Sequence, residues 1–183
     1  MIRKYHPKDR DQIRKICYVT ATDERFKENP ELLWTLYADY YTECEPESLF
    51  VAVNEEDTAI GYILCAKNPR EYYKRFKKDY LPRVKELDKK MATAKKLEKI
   101  LDYALARSYP AHLHIDILPE YQRMGLGHKL TDALINHLKE EGVAGIHLGV
   151  GSDNEKGVRF YEKYGFKRLL SIGGGVVFGL KTK

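Results

Sequence analysis

The segment Gln122–Gly127 (Gln-Arg-Met-Gly-Leu-Gly) constrains this chain more than any other, because of the patterns on either side of it. An alternating run over residues 111–118 precedes it and predicts a strand that Pro119 closes. After it, apolar residues recur at helical spacing as far as about Glu141. The glycines therefore lie where a strand ends and a helix begins.

Such a junction is suited to binding an anion. The first backbone N–H groups of a helix lack intrahelical partners and carry the positive end of the helix dipole. Glycine lets this backbone approach a ligand closely, so the segment is typical of a phosphate or pyrophosphate cradle. It is not a nucleoside-triphosphate loop, since no Gly-Lys-Ser/Thr follows, and no acidic strand end completes a dinucleotide fingerprint.

A second motif narrows the identity of the phosphate. It runs from Asn154 to Phe166, after a short strand over residues 145–150. The pattern predicts a helix from about Glu155 to Tyr164 that ends at Gly165 and leads into another strand.

The two motifs resemble those of the GNAT N-acetyltransferase superfamily. Q-x-x-G-x-G is similar to its acetyl-CoA pyrophosphate loop, and N-x-x-G-x-x-x-Y-x-x-x-G-F to its later motif, with Gly157 where Ala is usual. The resemblance implies an α/β fold: a mixed, mostly antiparallel sheet flanked by helices. We expect the sheet to splay between strands 111–118 and 146–150, and a helical insertion to separate the third and fourth strands.

The resemblance also implies acetyl-CoA as co-substrate. N–H groups from Arg123 to His128 would hold the pyrophosphate, and the strand end would align the pantetheine arm. Asn154 would cap its helix, contact the arm, or do both. The implied cofactor-binding residues are Ile117, Leu118, Gln122, Arg123, Met124, Gly125, Leu126, Gly127, His128 and Asn154.

Tyr161 matches the general acid of the family, and its ordinary pKa near 10 keeps it protonated at neutral pH. The alternative is that it only packs. Residues two apart share one face of a strand, so His112, His114 and Asp116 project together. No Glu stands on this strand, where many family members place a base. We take His114 as the base, oriented by Asp116 or with Asp116 on the acceptor; the alternative is a buried polar network. We expect no metal.

Composition and patterning predict one domain over residues 1–183, without a membrane-spanning segment. Three cysteines, an odd number at spacings that match no metal motif, are interpreted as buried reduced thiols, and a cytoplasmic location follows. The remaining predicted elements are a strand over 2–6, helices over 8–20 and 30–43, a hairpin of 49–54 with 60–65, and a turn at 173–175. The tyrosine-rich helix over 30–43 would line the acceptor pocket or pack in the core.

Residues 67–107 form the insertion and carry the basic character of the chain. They contain 14 Lys and Arg against 6 Asp and Glu, a net charge of +8, whereas the rest has 18 against 21, a net of −3. Three interpretations are open: a structural or lid role, binding of an anionic acceptor or the cofactor phosphates, and nucleic-acid binding. In the first, the helical face that packs inward comprises Leu87, Leu97, Ile100, Leu101 and Leu105.

A narrower resemblance involves His-Leu-His-Ile-Asp-Ile-Leu-Pro, which follows Tyr109-Pro110 and the insertion. It is similar to the acetyltransferase-like domains that accompany some O-GlcNAc hydrolases and to their stand-alone bacterial relatives. The function that we expect is direct transfer of acetyl from acetyl-CoA to a primary amine in a ternary complex. The acceptor would be a small-molecule or protein amine; nucleic acid and membrane are not expected partners. The alternative is a non-catalytic CoA-binding sensor or recruitment module.

Overall fold

The computed structural model describes residues 1–182. The strands are β1 (Ile2–Lys4), β2 (Phe50–Val53), β3 (Ala59–Ala66), β4 (Ala111–Ile117), β5 (Gly145–Gly151), β6 (Lys167–Ile172) and β7 (Gly175–Lys181). The α-helices are α1 (Arg10–Thr20), α2 (Glu24–Glu28), α3 (Pro30–Tyr37), α4 (Asp39–Cys44), α5 (Pro69–Arg75), α6 (Leu81–Leu87), α7 (Lys89–Leu105), α8 (Leu126–Glu140) and α9 (Glu155–Tyr164).

The strands form one mixed sheet in the order β1-β2-β3-β4-β5-β7-β6. Only β4 and β5 are parallel, and they pair at just two positions, Ala111 with Ile146 and His112 with His147. Beyond His112 the two strands diverge and leave a notch in the sheet. The expected fold class is confirmed: a mostly antiparallel sheet that is flanked by helices and splayed at this position, with the helical insertion between β3 and β4.

Two apolar clusters cover the two faces of the sheet. On β3, Tyr62 and Leu64 face one cluster with α1, α3 and α4, whereas Ile63 and Cys65 face the other. The second cluster contains Leu130, Leu134, Ile135 and Leu138 of α8, which confirms the helical periodicity predicted after the glycine loop. The alternation predicted for β4 is also confirmed, because Leu113 lies in the second cluster and His114 contacts Tyr62 of the first.

The predicted helix over residues 30–43 is two helices. Asn29 caps the first through its side chain, and Pro30 occupies the first turn. At Ala38 the backbone leaves helical geometry, with φ −130°. Asp39 then begins α4 in a buried position, where its carboxylate accepts a 2.8 Å hydrogen bond from Arg14. The first strand ends at Lys4, two residues earlier than predicted.

The insertion is helical, with α5 and α6 joined by a single π-helical stretch at residues 76–80, but its apolar packing prediction is partly wrong. Leu97 and Ile100 of α7 are 64% and 67% exposed. The buried positions of this helix are Ala92, Lys95 and Asp102. Leu87, Leu101 and Leu105 are half-buried.

The inward polar side chains of α7 have specific partners. These partners explain why the helix buries polar residues and exposes Leu97 and Ile100. Asp102 accepts a hydrogen bond from the Tyr73 hydroxyl at 2.7 Å, and its other carboxylate oxygen lies 3.1 Å from His147 Nε2. Lys95 donates to Glu98 at 2.6 Å. Buried charges require such pairing. The side of α7 that carries these paired residues therefore packs toward the sheet.

Cys17 and Cys65 are buried free thiols, as predicted, whereas Cys44 is only half-buried. Within residues 1–182, the helices all fall short of the length and apolarity that crossing a membrane requires.

Candidate active site

The glycine loop presents a row of unpaired backbone donors at the start of α8. Gly125, the residue before the helix, has φ +74°, and Arg123 has φ +64°. The first helical bond joins the N–H of Lys129 to Gly125. Within the described residues, none of the N–H groups of residues 123–128 donates to a protein acceptor. Six consecutive free donors at a helix N-terminus fit the expected pyrophosphate cradle.

The side chains of the loop hold the cradle in place. Gln122 donates from Nε2 to the carbonyl of Ile117 at 3.0 Å, and so ties the loop to the end of β4. A Cβ on Gly127 would lie 3.1 Å from the ring of Phe160, so this glycine lets α9 pack against α8. The side chains of Arg123, Met124 and His128 are exposed, whereas Leu126 packs against the second apolar cluster.

The end of β4 supplies free backbone groups to the notch. The N–H of Leu118 donates to Ile60 and its carbonyl accepts from Tyr121, so both groups are used within the protein. Bonding alternates along an antiparallel ladder, so the N–H and C=O groups of Ile115 and Ile117 lie on the edge that faces β5. The Ile117 carbonyl is already used by Gln122, which leaves the N–H of Ile117 and both groups of Ile115. Since β5 diverges there, Ile115, which the sequence prediction omitted, joins Ile117 as a residue facing the notch.

A cavity of about 350 Å³ lies beside the notch. We call it the acceptor cavity. It brings together the predicted residues His114, Asp116, Asn154 and Tyr161. Its remaining lining comes from α1 and the segment after it, α2, α3, β4 and β5: Cys17, Thr20, Ala21, Thr22, Asp23, Phe26, Leu33, Tyr37, Leu113, Ile115, Leu148, Gly149, Val150 and Gly151.

Tyr161 carries a hydroxyl without a protein partner in the part of the chain that the structure describes. Its ring is buried against Phe160, Phe166 and Phe178. Burial, with a smaller contribution from Asp116, raises the pKa of this phenol above its ordinary value. The hydroxyl is therefore protonated at neutral pH and remains available as a donor.

His114 and Asp116 are connected through Tyr62 of β3. The Tyr62 hydroxyl donates to Asp116 Oδ2 at 2.6 Å and lies 3.2 Å from His114 Nδ1. The imidazole stacks on Tyr37, with ring centroids 5.3 Å apart, and its Nε2 is 3.6 Å from Asp116. Tyr62 is fully buried, so this arrangement has a rigid support. Tyr37 shows that the tyrosine-rich helix reaches the cavity, while Tyr40 and Tyr41 pack in the core.

His112 shares the face of His114 but belongs to a different environment. It does not line the acceptor cavity, and its Nε2 is 3.0 Å from the hydroxyl of Tyr41. Burial lowers its pKa to about 3, so the imidazole is neutral at physiological pH. His112 thus lies in a buried polar environment, which was the alternative interpretation, whereas His114 and Asp116 line the acceptor cavity.

Both of the Asp, Glu, Lys or Arg side chains that line the acceptor cavity are acidic. Its lining includes Asp23, which Arg25 pairs, and Asp116, but no Lys or Arg. Sequence patterns missed Cys17, Thr22 and Asp23 because they come from α1 and the segment after it, about 90 residues before β4. The sequence predicts α1 from its apolar face, but that pattern does not indicate where the residues after the helix lie.

Asn154 has the capping role that the sequence suggested. Its Oδ1 accepts from the N–H of Gly157 at 2.9 Å. A Cβ at Gly157 would lie 2.9 Å from the Asn154 amide nitrogen, so a larger residue here would displace the end of that side chain.

The ligand atoms of Cys17, His114 and Asp116 lie within 4.8 Å of one another, a combination that transition metals use. Burial raises the pKa of the Cys17 thiol to about 12. The expectation that the site works without a metal stays a prediction.

Comparison with known proteins identifies the fold and the motifs. A family model described as "Acetyltransferase (GNAT) family" matches residues 13–166. The crystal structure of SsHAT superposes with a TM-score of 0.89 at 30% identity, covering 100% of this chain and 98% of SsHAT.

Two curated relatives show different extents of similarity. Protein O-GlcNAcase of Rattus norvegicus is 23% identical over 94% of this chain, which spans only 20% of the length of that protein. Mycothiol acetyltransferase of Nocardiopsis dassonvillei is 46% identical over 52 residues, 28% of this chain and 16% of its own length. The similarity to O-GlcNAcase supports the narrower resemblance seen in the sequence.

Proposed function

Because the chain belongs to the acetyltransferase (GNAT) family, we propose that it transfers the acetyl group of acetyl-CoA directly to a primary amine within a ternary complex. The observation that carries the proposal is the juxtaposition at the notch. Six free N–H groups lie in the loop before α8 and in its first turn, free strand groups border the same opening, and Tyr161 lines the adjoining cavity.

Acetyl-CoA would supply an activated acetyl thioester. The N–H groups of residues 123–128 would hold its pyrophosphate, and backbone groups of Ile115 and Ile117 would align its arm. A backbone N–H on this edge of β4 would also donate to the thioester oxygen as negative charge develops on it. Asn154 would contact the arm while it caps α9.

Tyr161 is the residue that we propose as general acid. Its free hydroxyl and raised pKa suit a group that holds a proton for the departing thiolate. A phenol is a weaker acid than an ordinary thiol, so the proton would pass to sulfur only as negative charge develops there while the C–S bond breaks, and solvent would then return a proton to Tyr161.

His114 would accept a proton from the incoming amine, with Asp116 and Tyr62 fixing the position of the ring. A neutral imidazole has one ring nitrogen with a free lone pair, which can accept this proton. Asp116 has no Lys or Arg partner within the described residues, so it would attract a cationic amine into the cavity. The acidic lining favours an acceptor that carries positive rather than negative charge.

The test is Tyr161→Phe, with thiol release on acetyl-CoA and a panel of amines as the readout. We expect kcat to fall by roughly 10²-fold or more while the Kd for CoA changes little. Tyr164→Phe is the matched control, because this hydroxyl is on the same helix and donates to Asp132 at 2.6 Å, outside the cavity. Equal activity of Tyr161→Phe and the wild type would remove Tyr161 from the mechanism.

A non-catalytic CoA-binding role is the second candidate. The observation that favours it is the similarity to O-GlcNAcase along nearly the whole chain, together with the missing Glu on β4. CoA binding without thiol release for any amine in the panel would support this role.

A further inference from the structure

A second cavity of about 420 Å³ lies within the insertion and shares no residue with the acceptor cavity. We call it the lysine cavity. The π-helical stretch, α6 and α7 form most of its walls. It is lined by Tyr73, Phe76, Lys77, Leu81, Pro82, Lys85, Lys95, Lys96 and Lys99.

The polar lining of the lysine cavity is entirely cationic apart from the Tyr73 hydroxyl. Five lysines surround it, and within residues 1–182 no carboxylate lines it. The Tyr73 hydroxyl donates to Asp102, so it is already used. Among residues 1–182, the ammonium groups of Lys77, Lys85, Lys96 and Lys99 have no carboxylate within ion-pair distance. A concentration of like charge around a concave surface attracts anions.

Lys95 differs from the other four because its side chain is only 6% exposed. Its ammonium group lies 5.2 Å from the ring centre of Tyr72 and 5.4 Å from that of Phe76. Its one carboxylate partner, Glu98, is 43% exposed and does not line the cavity. A cation is therefore built into the wall of the cavity and held on aromatic rings.

The rest of the lining is apolar. Phe76, Leu81 and Pro82 present hydrocarbon surface between the lysines. A small inorganic anion would satisfy the charges but leave this surface in water. A purely apolar ligand would leave the ammonium groups without a partner. Sites for small molecules typically combine an apolar wall with a few convergent polar groups, and this volume lies in their range.

We propose that the lysine cavity binds an amphipathic anion: a carboxylate or phosphate group on a compact apolar body. The apolar body would lie against Phe76, Leu81 and Pro82, and the anionic group would contact Lys95, Lys96 and Lys99. Binding at this site requires neither acetyl-CoA nor acetyl transfer.

The site also has a physical connection to the active site. Lys95 contacts Tyr72, whose ring packs edge-to-face on His112 at 4.6 Å between centroids. His112 lies on β4 two residues before His114. An anion bound to Lys95 would therefore lie one side chain, that of Tyr72, away from the strand that carries the proposed base.

The experiment is a calorimetric titration of the whole protein with sodium decanoate below its micelle concentration, in the presence and absence of saturating CoA. We expect saturable binding that CoA does not compete with, and no saturable binding of 1-decanol or inorganic phosphate alone. The combined variant Lys96→Ala/Lys99→Ala should weaken decanoate binding by about tenfold or more, since each lysine supplies a charge-assisted contact.

Lys89→Ala/Lys90→Ala is the matched control, because these lysines are exposed at the start of the same helix and do not line the cavity. It should bind decanoate as the wild type does. Lys85→Ala, on α6, tests the opposite wall without altering α7. CoA affinity should be unchanged in all three variants.

Three results would overturn the proposal: no saturable decanoate binding, competition by CoA, or equal weakening in the Lys89/Lys90 control. Tighter binding of a short DNA duplex, lost equally in both lysine pairs, would instead assign the basic surface to a nucleic acid. Because decanoate binding is measured without acetyl transfer, failure of the proposed enzymatic function leaves its outcome unaffected.

Discussion

The two cavities of this protein are similar in volume and opposite in charge. The acceptor cavity, at about 350 Å³, has Asp23 and Asp116 in its lining and no Lys or Arg. The lysine cavity, at about 420 Å³, has five lysines and no carboxylate. Five of the 14 Lys and Arg residues of 67–107 thus line one cavity, and the other nine lie elsewhere on the insertion. The contrast indicates that the insertion, besides packing on the sheet, forms a cavity of its own with the opposite charge.

Between these cavities lies a buried cluster of Tyr41, Tyr72, Tyr73, Asp102, His112 and His147. We call it the tyrosine–histidine cluster. It fills the space beneath α7 with polar groups, most of which bond to one another, whereas the Tyr72 hydroxyl and His112 Nδ1 are buried without a partner within the described residues. This cluster lets α7 turn its polar side inward, and it separates a cation-attracting site from an anion-attracting one. The predictions below change one side of this arrangement at a time.

Among the substitutions of polar residues, Asp102→Ala should have the largest effect on stability. It would leave Tyr73 and His147 buried without their carboxylate partner, and such a break in a buried network costs about 3 kcal/mol or more. The free energy of unfolding from urea titration measures this. Asp88→Ala, which removes only the N-terminal cap of α7, should cost about 1 kcal/mol. Equal costs would mean that the cluster contributes nothing beyond helix capping.

Asp116→Asn should alter chemistry rather than stability. The amide oxygen still accepts from Tyr62, but the negative charge in the acceptor cavity is lost. We expect kcat/KM for cationic amines to fall by about 10²-fold, with CoA affinity retained. Asp23→Asn should have a smaller effect, because Arg25 already pairs that carboxylate. A larger loss of kcat/KM for Asp23→Asn than for Asp116→Asn would indicate that the amine binds near Asp23 rather than near β4.

The pH dependence of stability should report on His112. Its pKa is about 3 in the folded protein and near 6.5 when unfolded, so below pH 6.5 the unfolded chain binds the extra proton. Stability from this group is full above pH 6.5 and is lost as pH falls toward 3, by at most about 1.4 kcal/mol per pH unit. The measurement compares unfolding free energies at pH 7 and pH 5 for the wild type and His112→Gln. An unchanged slope in the variant would contradict this assignment.

Ile100→Gln should have the smallest effect. The side chain is 67% exposed, so its loss should change the unfolding free energy by less than about 0.5 kcal/mol. Leu134→Ala, in the fully buried face of α8, should cost about 2–5 kcal/mol. Similar costs at the two positions would show that α7 buries its apolar face after all.

The pair α7 and α8 also shows how much of the fold the sequence could predict. In α8 the apolar residues recur at helical spacing and are buried, because a sheet face with apolar partners lies beneath them. In α7 the same reasoning placed Leu97 and Ile100 inward, and the structure exposes them. Hydrophobic periodicity assumes an apolar partner surface. The tyrosine–histidine cluster beneath α7 is assembled from α4, α5, β4 and β5, so its polarity was not visible locally.

The candidate site divides in the same way. Local motifs located the glycine loop, Asn154 and Tyr161, because each role depends on backbone geometry over a few residues. Alternation on β4 placed His114 and Asp116 on one face, but it could not separate them from His112. That separation depends on Tyr41 and Tyr62, which come from α4 and β3. Contributions from distant elements are set by packing, and one sequence does not reveal them.

The most direct test of the account is a calorimetric titration with acetyl-CoA, followed by thiol release on adding matched amines. Phenethylamine and phenylalanine share an aromatic body and an amine, and differ in the carboxylate. We predict saturable, 1:1 binding of acetyl-CoA, and faster thiol release with phenethylamine because the acceptor cavity is acidic. Absence of acetyl-CoA binding would contradict the central claim, since the row of free N–H groups at α8 would then not be a pyrophosphate cradle.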